Sequence, residues 1–454
     1  MKIRPAPQET SAGPNGGFHA WYTVGLMMAA YALSILDRTI LNLMIVPIQQ
    51  DLKISDTQFG LLAGLAFVLF YSFAGIPLGW LADRFCRRCI IGTGILLWSI
   101  ATITCGFAGN FFQLFLARMG VGIGEAALNP PAYSLMADSF PRNQLAKAVA
   151  IFSTGSMLGA GMAFALGGAL IAYLALHPDI IFPVVGHARS WQLAFILAGL
   201  PGIFLALLFL TVREPPRFLS VREPVSADRA SDDGLMAFIQ SRKAILIPFV
   251  VGFATLTLIT YAILTWTPAL LIRQHGMPAG MVGLYMGLAT GISGLSGFIA
   301  GGLVADRMMS KGVSDAHMRV GVIGALGTLP CVITLSLASA QTLAIAAMMG
   351  AFFFVTMPTA AGLAGLQLIT PTQYRARISA GFMVIINLVG AGLGPLVVPV
   401  ITDYVFSDKM AVGRSMAVVG AIFGPVMLAA FSIARRPFSD AISATSMLSK
   451  GLSG

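Results

Sequence analysis

The feature that most constrains this chain is a succession of twelve apolar stretches, each of about 20 residues or more. They lie at about 20–48, 58–83, 88–109, 111–138, 145–174 and 190–211, then at about 244–273, 281–306, 318–339, 341–368, 376–403 and 413–434. A helix of about 20 residues spans roughly 30 Å, the thickness of a bilayer's hydrocarbon core. In hydrocarbon every backbone N–H and C=O must be paired, which leaves helices or closed barrels. Unbroken apolar runs of this length suit helices, since barrel strands are about half as long and alternate in polarity. Composition agrees: the chain is 57% hydrophobic and 10% charged, with a mean hydropathy of +0.84. The expected fold is an all-α membrane protein of twelve transmembrane helices.

Charge placement sets the expected orientation. With both termini cytoplasmic, 21 of the 28 basic residues fall inside and five outside (Lys53, Arg189, Arg273, Lys409 and Arg414). The other two, Arg38 and Arg118, sit within apolar stretches. The net charge of +10 is then retained cytoplasmic Lys and Arg and implies no nucleic-acid partner. Residues 1–19 read as a disordered cytoplasmic tail, 212–243 as a cytoplasmic linker with a short surface helix near Leu235–Ser241, and 435–454 as a second tail. The two six-helix bundles span 20–211 and 244–434. The tail has no short apolar region with a cleavage site, so no signal peptide is expected. Cys86 and Cys89 form a CxxC without a second ligand pair, and the four cysteines imply neither a metal nor a disulfide framework.

The halves repeat one another. Gly79-Trp-Leu-Ala-Asp83-Arg84 recurs as Gly302-Leu-Val-Ala-Asp306-Arg307 at an offset of 223. Pro141 with Lys147 corresponds to Pro371 with Arg377 at an offset of 230. Such a parallel repeat is a transporter signature. Twelve spans, the duplicated motif and the central linker resemble the major facilitator superfamily over nearly the whole chain. Leu36-Asp37-Arg38, the Gly79–Arg88 loop and Gly122-Ile-Gly-Glu125-Ala126 are similar to its spinster-like branch, whose eukaryotic members export sphingolipids or lysolipids. The resemblance implies two pseudo-symmetric bundles. It also implies a gating latch at Asp83, with Arg84 and Asp306 at the same boundary; Arg84, Arg87 and Arg88 read as topology anchors.

Four embedded charges are the candidate site. Arg118 and Glu125, seven residues apart, fall on nearly one side of a helix; Asp37 and Arg38 are adjacent and differ by about 100° in direction. Charges inside a bilayer are costly and face partners or wet cavities. These four sum to zero, so each acid is expected to pair with the other span's arginine if the first and fourth spans are neighbours. At the repeat offsets the positions become Thr260, Tyr261, Met348 and Val355, so only the first half carries charge. Arg38 and Arg118 are therefore expected to hold an anionic head group. Tyr261, Trp266, Phe353, Phe354 and Met357 are expected to form an apolar wall, although such a stripe also suits plain helix packing. Asp37 and Glu125 are the candidate proton carriers, because none of the five histidines lies mid-span. Pro130 and Pro131 are expected bending points for gating, as is Pro268, while Gly394-Pro395 is read as a kink in the eleventh span.

The function expected is secondary active transport, by alternating access and coupled to protons, of an amphiphilic anion such as a lysolipid or sphingolipid-like molecule. The alternative is proton symport of a small organic anion such as a sugar acid. No embedded metal spacing, activated nucleophile or nucleotide loop supports an enzyme or an ATP-driven pump, and no cofactor is expected. Membrane lipids, protons and the substrate are the expected partners of a monomer in the plasma (inner) membrane.

Overall fold

The computed structural model describes residues 17–176, 181–182, 186–187, 189–215, 232–371 and 373–451. Among them are twelve helices long and apolar enough to cross a membrane. The first six are Phe18–Leu43, Asp56–Ala82, Arg87–Cys105, Phe111–Ser139, Asn143–Leu174 and Ser190–Thr211. The second six are Lys243–His275, Ala279–Ser310, Ala316–Leu337, Gln341–Ile369, Arg377–Phe406 and Lys409–Ile442. Strand structure among the described residues is confined to a small hairpin, Ile181–Phe182 against Gly186–His187, between the fifth and sixth spans. An even number of crossings returns the chain to the face it started from, called here the terminal side; the opposite face is the far side.

Two departures from the expected boundaries have local causes. The linker helix is Asp232–Ser241, three residues longer at its start than expected. The last helix does not end at 434 but continues through Pro437 to Gly451. The membrane-length span reaches Ile442, and past residue 434 Phe438 and Ala441 are still buried, so an apolar face remains to dock the extension.

Several spans are irregular where the bundles meet. The second span breaks at Gly64, where a Cβ would stand 2.6 Å from the carbonyl oxygen of Gly392 on the eleventh span. There the eleventh span widens into a π turn, Leu388–Leu393, before restarting at Gly394 with Pro395 as its second residue. At the expected Gly394-Pro395 kink the helix thus changes from a π turn back to α-helix. Pro268 does not bend its helix into two; Lys243–His275 runs uninterrupted. The fourth span does break: helix ends at Glu125, Ala126–Leu128 form a turn, and a second helix begins at Asn129 with Pro130 and Pro131 in its first turn.

Small residues set the helix neighbours. Gly155 and Gly159 of the fifth span lie against backbone carbonyls of Met28 and Ala32 on the first, at Cβ-equivalent distances of 2.4 and 2.3 Å. The same span meets the eighth through Gly168 and Gly283, one from each half. The main contacts between halves join the fifth span to the start of the eighth, and the second span's start to the eleventh's end. All lie in the far half of the molecule, so the bundles close on the far side and part toward the terminal side.

Candidate substrate and coupling site

The first and fourth spans supply the charged centre, and helix periodicity decides who meets whom. Ser34 and Arg38, four residues apart, share a face. Ser34 Oγ donates to Glu125 Oε2 at 2.6 Å. Arg38 donates to the same oxygen through Nε at 2.6 Å and pairs with it through an amino nitrogen at 2.5 Å. The expected Arg38–Glu125 pair is therefore formed. Asp37 points elsewhere: Thr102 of the third span donates to its Oδ2 at 3.1 Å. Arg118 does not pair with the Asp37 carboxylate; its amino nitrogen reaches the Asp37 backbone oxygen at 3.1 Å instead. The expected reciprocal cross-pairing is thus half realised, because Asp37 is turned a third of a helix turn away from Arg38.

Gly122 lies between Arg118 and Glu125 on their shared face, and a Cβ there would stand 2.6 Å from the Phe67 carbonyl oxygen. That close approach brings the second span's aromatics over the arginines. The Arg38 guanidinium carbon is 4.1 Å from the Phe67 ring centre and 4.8 Å from that of Tyr71; Arg118 is 5.7 Å from Phe67. Phe67 and Tyr71, themselves stacked, thus cover the guanidinium with a flat apolar face. Asn129, the first residue after the break in the fourth span, donates to the Tyr71 hydroxyl at 2.9 Å.

Exposure separates the four charges. The Glu125 side chain is fully buried, Asp37 and Arg118 are each 1% exposed, and the Arg38 side chain is 23% exposed. Three polar atoms of these four residues have no partner among the described residues: Asp37 Oδ1, Glu125 Oε1 and Arg118 Nε. Unpaired buried atoms of this kind are costly in a purely structural network and mark places where a proton or a ligand group fits.

The apolar residues assigned to the second half's wall divide. Tyr261 is brought to the centre, within electrostatic reach of Arg38, Tyr71 and Glu125. Trp266 is not: it is fully buried, donates to the Pro395 carbonyl at 2.9 Å and meets Phe59 edge-on at 6.1 Å, near the far-side closure. The Phe354 ring covers Gly327 of the ninth span, Met357 is buried with Ala305, Val320 and Ala361, and Phe353 packs edge-on against Phe354. These three serve packing inside the second bundle: Gly327 admits the Phe354 ring, while Gly297 and Gly301 let the eighth span approach the backbones of Phe353 and Met357. The residues missing from the expected site are Ser34, Phe67, Tyr71, Thr102 and Tyr31. Tyr31 lies on the Ser34–Arg38 side of the first span, stacked on Phe152. The signal was available as i, i+4 spacing in Ser34–Arg38 and Phe67–Tyr71.

At the terminal side the side chain of Asp83 lies outside the described residues. Arg84 is exposed, with its guanidinium 4.1 Å over Trp80. Asp306 is exposed and makes no ion pair among the described residues. Arg87, read from sequence as a topology anchor, is instead 2% exposed. It pairs with Asp138 at the end of the fourth span and, at 2.9 Å, with Glu214 just past the sixth. Burial would raise the Glu214 pKa, but the backbone N–H of Arg88 and the side chain and N–H of Arg87 outweigh it and hold the carboxylate below its usual range.

The far side carries a second unpredicted network, which joins the halves. A capping box at Ser55–Gln58 starts the second span and presents Asp56 and Thr57. Arg273, at the end of the seventh span, donates to both Asp56 oxygens at 2.8 Å and to Gln49 at 2.5 Å. Asp403, on the eleventh span, accepts from the Thr57 N–H and hydroxyl, both at 2.7 Å.

The family model of the Major Facilitator Superfamily matches residues 27–395. A Mycolicibacterium smegmatis protein named "MFS-type efflux pump" is 29% identical over 424 residues, covering 90% of this chain and 93% of that one. A Bacillus subtilis protein named "Probable galactarate/D-glucarate transporter" is 26% identical over 450 residues, covering 92% and 91%. A crystal structure of a bacterial homolog of the human lysosomal transporter Spinster, inward-facing and occupied, superposes with a TM-score of 0.72. It shares 27% identity and covers 93% of this chain and 94% of its own.

Proposed function

The chain belongs to the Major Facilitator Superfamily, and from that premise we propose that this transporter moves an amphiphilic anion, lysolipid- or sphingolipid-like, by proton-coupled alternating access. Arg38 receives the anionic group, because it is the one embedded charge with substantial exposure and its flat face is already lined by Phe67 and Tyr71. Substrate and Glu125 then compete for one guanidinium. When the anion takes Arg38, Glu125 loses its ion-pair partner while still buried, which favours its protonated form. Asp37, with its own unpaired oxygen, is a second proton position. Arg118 stays behind Phe67 and holds the backbone of Asp37 in place.

The observation that carries the amphiphile reading is at the seam between halves. An almost wholly apolar recess of about 470 Å³ opens sideways between the fifth and eighth spans, lined by Leu158, Gly161, Met162, Ala165, Gly291 and Leu295. An acyl tail fits against this apolar lining, whereas a sugar acid has no apolar group to place there. The mycobacterial relative's name supports export. The terminal side, where most of the basic residues lie, is taken as cytoplasmic, which makes the parted state inward-facing. The protein then sits in the plasma (inner) membrane with both termini inside. Asp83, Arg84, Asp306 and the Pro130-Pro131 break are assigned to closing that side.

A second reading, proton symport of a sugar acid, is favoured by the Bacillus relative. Proteoliposomes given a lysophospholipid or D-glucarate, with and without a pH gradient, separate the two. Lysolipid transport driven by the gradient is expected, with Glu125→Gln abolishing the response to pH. Glucarate uptake without lysolipid movement would establish the second reading. Transport indifferent to the gradient would remove the proton-coupling role of Glu125 and Asp37.

A further inference from the structure

We propose that the outer surface of the second bundle holds a binding site for an anionic phospholipid from the leaflet on the terminal side. Two recesses meet there. One, of about 620 Å³, is apolar and runs between the seventh and twelfth spans, lined by Ile247, Val251, Val426, Ala430 and Ile433, with Lys243 at its mouth. The other, of about 610 Å³, is polar and lies between the start of the ninth span and the twelfth. It is lined by Arg319, Arg435, Arg436, Asp315, Ser314 and Ser439. Ile433 lines both, so an apolar slot leads directly to a basic one.

The basic recess is organised rather than a chance cluster. Asp315 accepts from Arg319 Nε at 2.7 Å on one oxygen and from Arg435 Nε at 2.8 Å on the other. Both guanidinium groups are thereby oriented by the same carboxylate while their amino nitrogens remain available. Arg436 adds a third cation, so three arginines face one carboxylate, a surplus of two positive charges. Ser314 and Ser439 form a hydroxyl pair at 2.6 Å in the same recess. Guanidinium forks and hydroxyls are the donors a phosphodiester accepts from.

Depth selects a lipid over a soluble phosphate. Lys243 begins the seventh span and Arg319 lies in the first turn of the ninth. Arg435 and Arg436 come late in the twelfth, which ends at Ile442. The cations therefore stand at one membrane–water boundary. Val426 to Ile433 is seven residues, about 10 Å of groove reaching into the hydrocarbon. A diacyl phospholipid with one acyl chain against Ile433 and Val426 and its phosphate on the arginines fills both recesses at once. All three contributing spans belong to one bundle, so the site is separate from the Arg38 centre and stays intact as the halves move.

The test uses the full chain in detergent, with native mass spectrometry reading retained dioleoylphosphatidylglycerol against dioleoylphosphatidylcholine. Preferential retention of phosphatidylglycerol is expected. Arg436→Gln, which leaves the Asp315 pairs untouched, is expected to weaken it about fivefold, the equivalent of one interfacial charge. Ile433→Trp, at a position 63% exposed, obstructs the slot without disturbing the core and is also expected to reduce retention. Equal retention of the two lipids would overturn the proposal. So would unchanged retention in both variants when their lipid-free melting matches the wild type. Displacement of the lipid by millimolar inorganic phosphate would mean that the recess takes free phosphate instead.

Discussion

Arg273 holds the far side shut, and Arg273→Gln is the perturbation that tests this most directly. The wild-type guanidinium makes a two-pronged pair with a fully buried Asp56, plus bonds to Gln49 and to the Lys409 carbonyl. Removing one member of a buried pair costs about 3–5 kcal/mol. Gln49 still donates to Asp56 at 2.6 Å, and Arg273 sits near the aqueous edge, so the lower value, about 3 kcal/mol, applies. The Thr57–Asp403 bonds survive the substitution. If the latch exists only in the far-side-closed state, the whole of that loss falls on one side of the equilibrium. A loss of about 3 kcal/mol shifts the population ratio roughly 150-fold toward the far-side-open state. Spin labels at Gln50→Cys and Tyr404→Cys, exposed far-side positions on opposite bundles, read the change by double electron–electron resonance in a background without native cysteines. The expected result is a short distance in the wild type and a predominantly long one in Arg273→Gln. Exchanging the charges, Asp56→Arg with Arg273→Asp, is expected to recover part of the short population. A folded Arg273→Gln protein with the wild-type distance distribution would refute the reasoning.

Two further perturbations address other contacts. Gly283→Leu places a side chain where even a Cβ would stand 2.5 Å from the Phe164 carbonyl and 2.6 Å from Gly168 Cα. It is expected to lengthen the same spin-label distance without touching any charge, and an unchanged distance would mean that the fifth and eighth spans do not set the closure. Glu214→Gln is expected to lower the melting temperature near neutral pH by weakening the Arg87 network. Because the folded pKa of Glu214 is depressed, its contribution is present above the unfolded value of about 4.3 and is lost as pH falls through the lower folded one. The gap between wild type and variant should persist at pH 5 and close below about pH 4; a gap independent of pH would show that the charge of Glu214 is not what the network uses.

The twelve spans were legible because hydrocarbon leaves one economical way to pair a backbone, and their boundaries match the helices to about five residues except at the end of the twelfth, which reaches Ile442. The break after Glu125 was legible from Pro130-Pro131. The Arg38–Glu125 pair followed from charge neutrality once the first and fourth spans were taken as neighbours. Arg118 did not follow, because a backbone carbonyl competes with a carboxylate for a guanidinium and sequence records no carbonyl direction. Phe353, Phe354 and Met357 were misassigned for a related reason. Periodicity places an aromatic stripe on a helix face, but only the close approach of the eighth and ninth spans, to the backbones of Phe353 and Met357 and to the Phe354 ring, shows that this stretch packs within its own bundle.

The chain's linear order therefore determined the solvent each segment can tolerate: its spans, its duplication and which four charges had to be embedded. Those are one-dimensional properties, set by hydropathy and by the cost of burying charge. Tertiary structure decided the pairings. Asp56 and Arg273 stand 217 positions apart, and Arg87 meets Glu214 across 127. Such contacts depend on how close backbones come at particular glycines and on the rotation of each helix about its axis, which a change of one residue alters by about 100°.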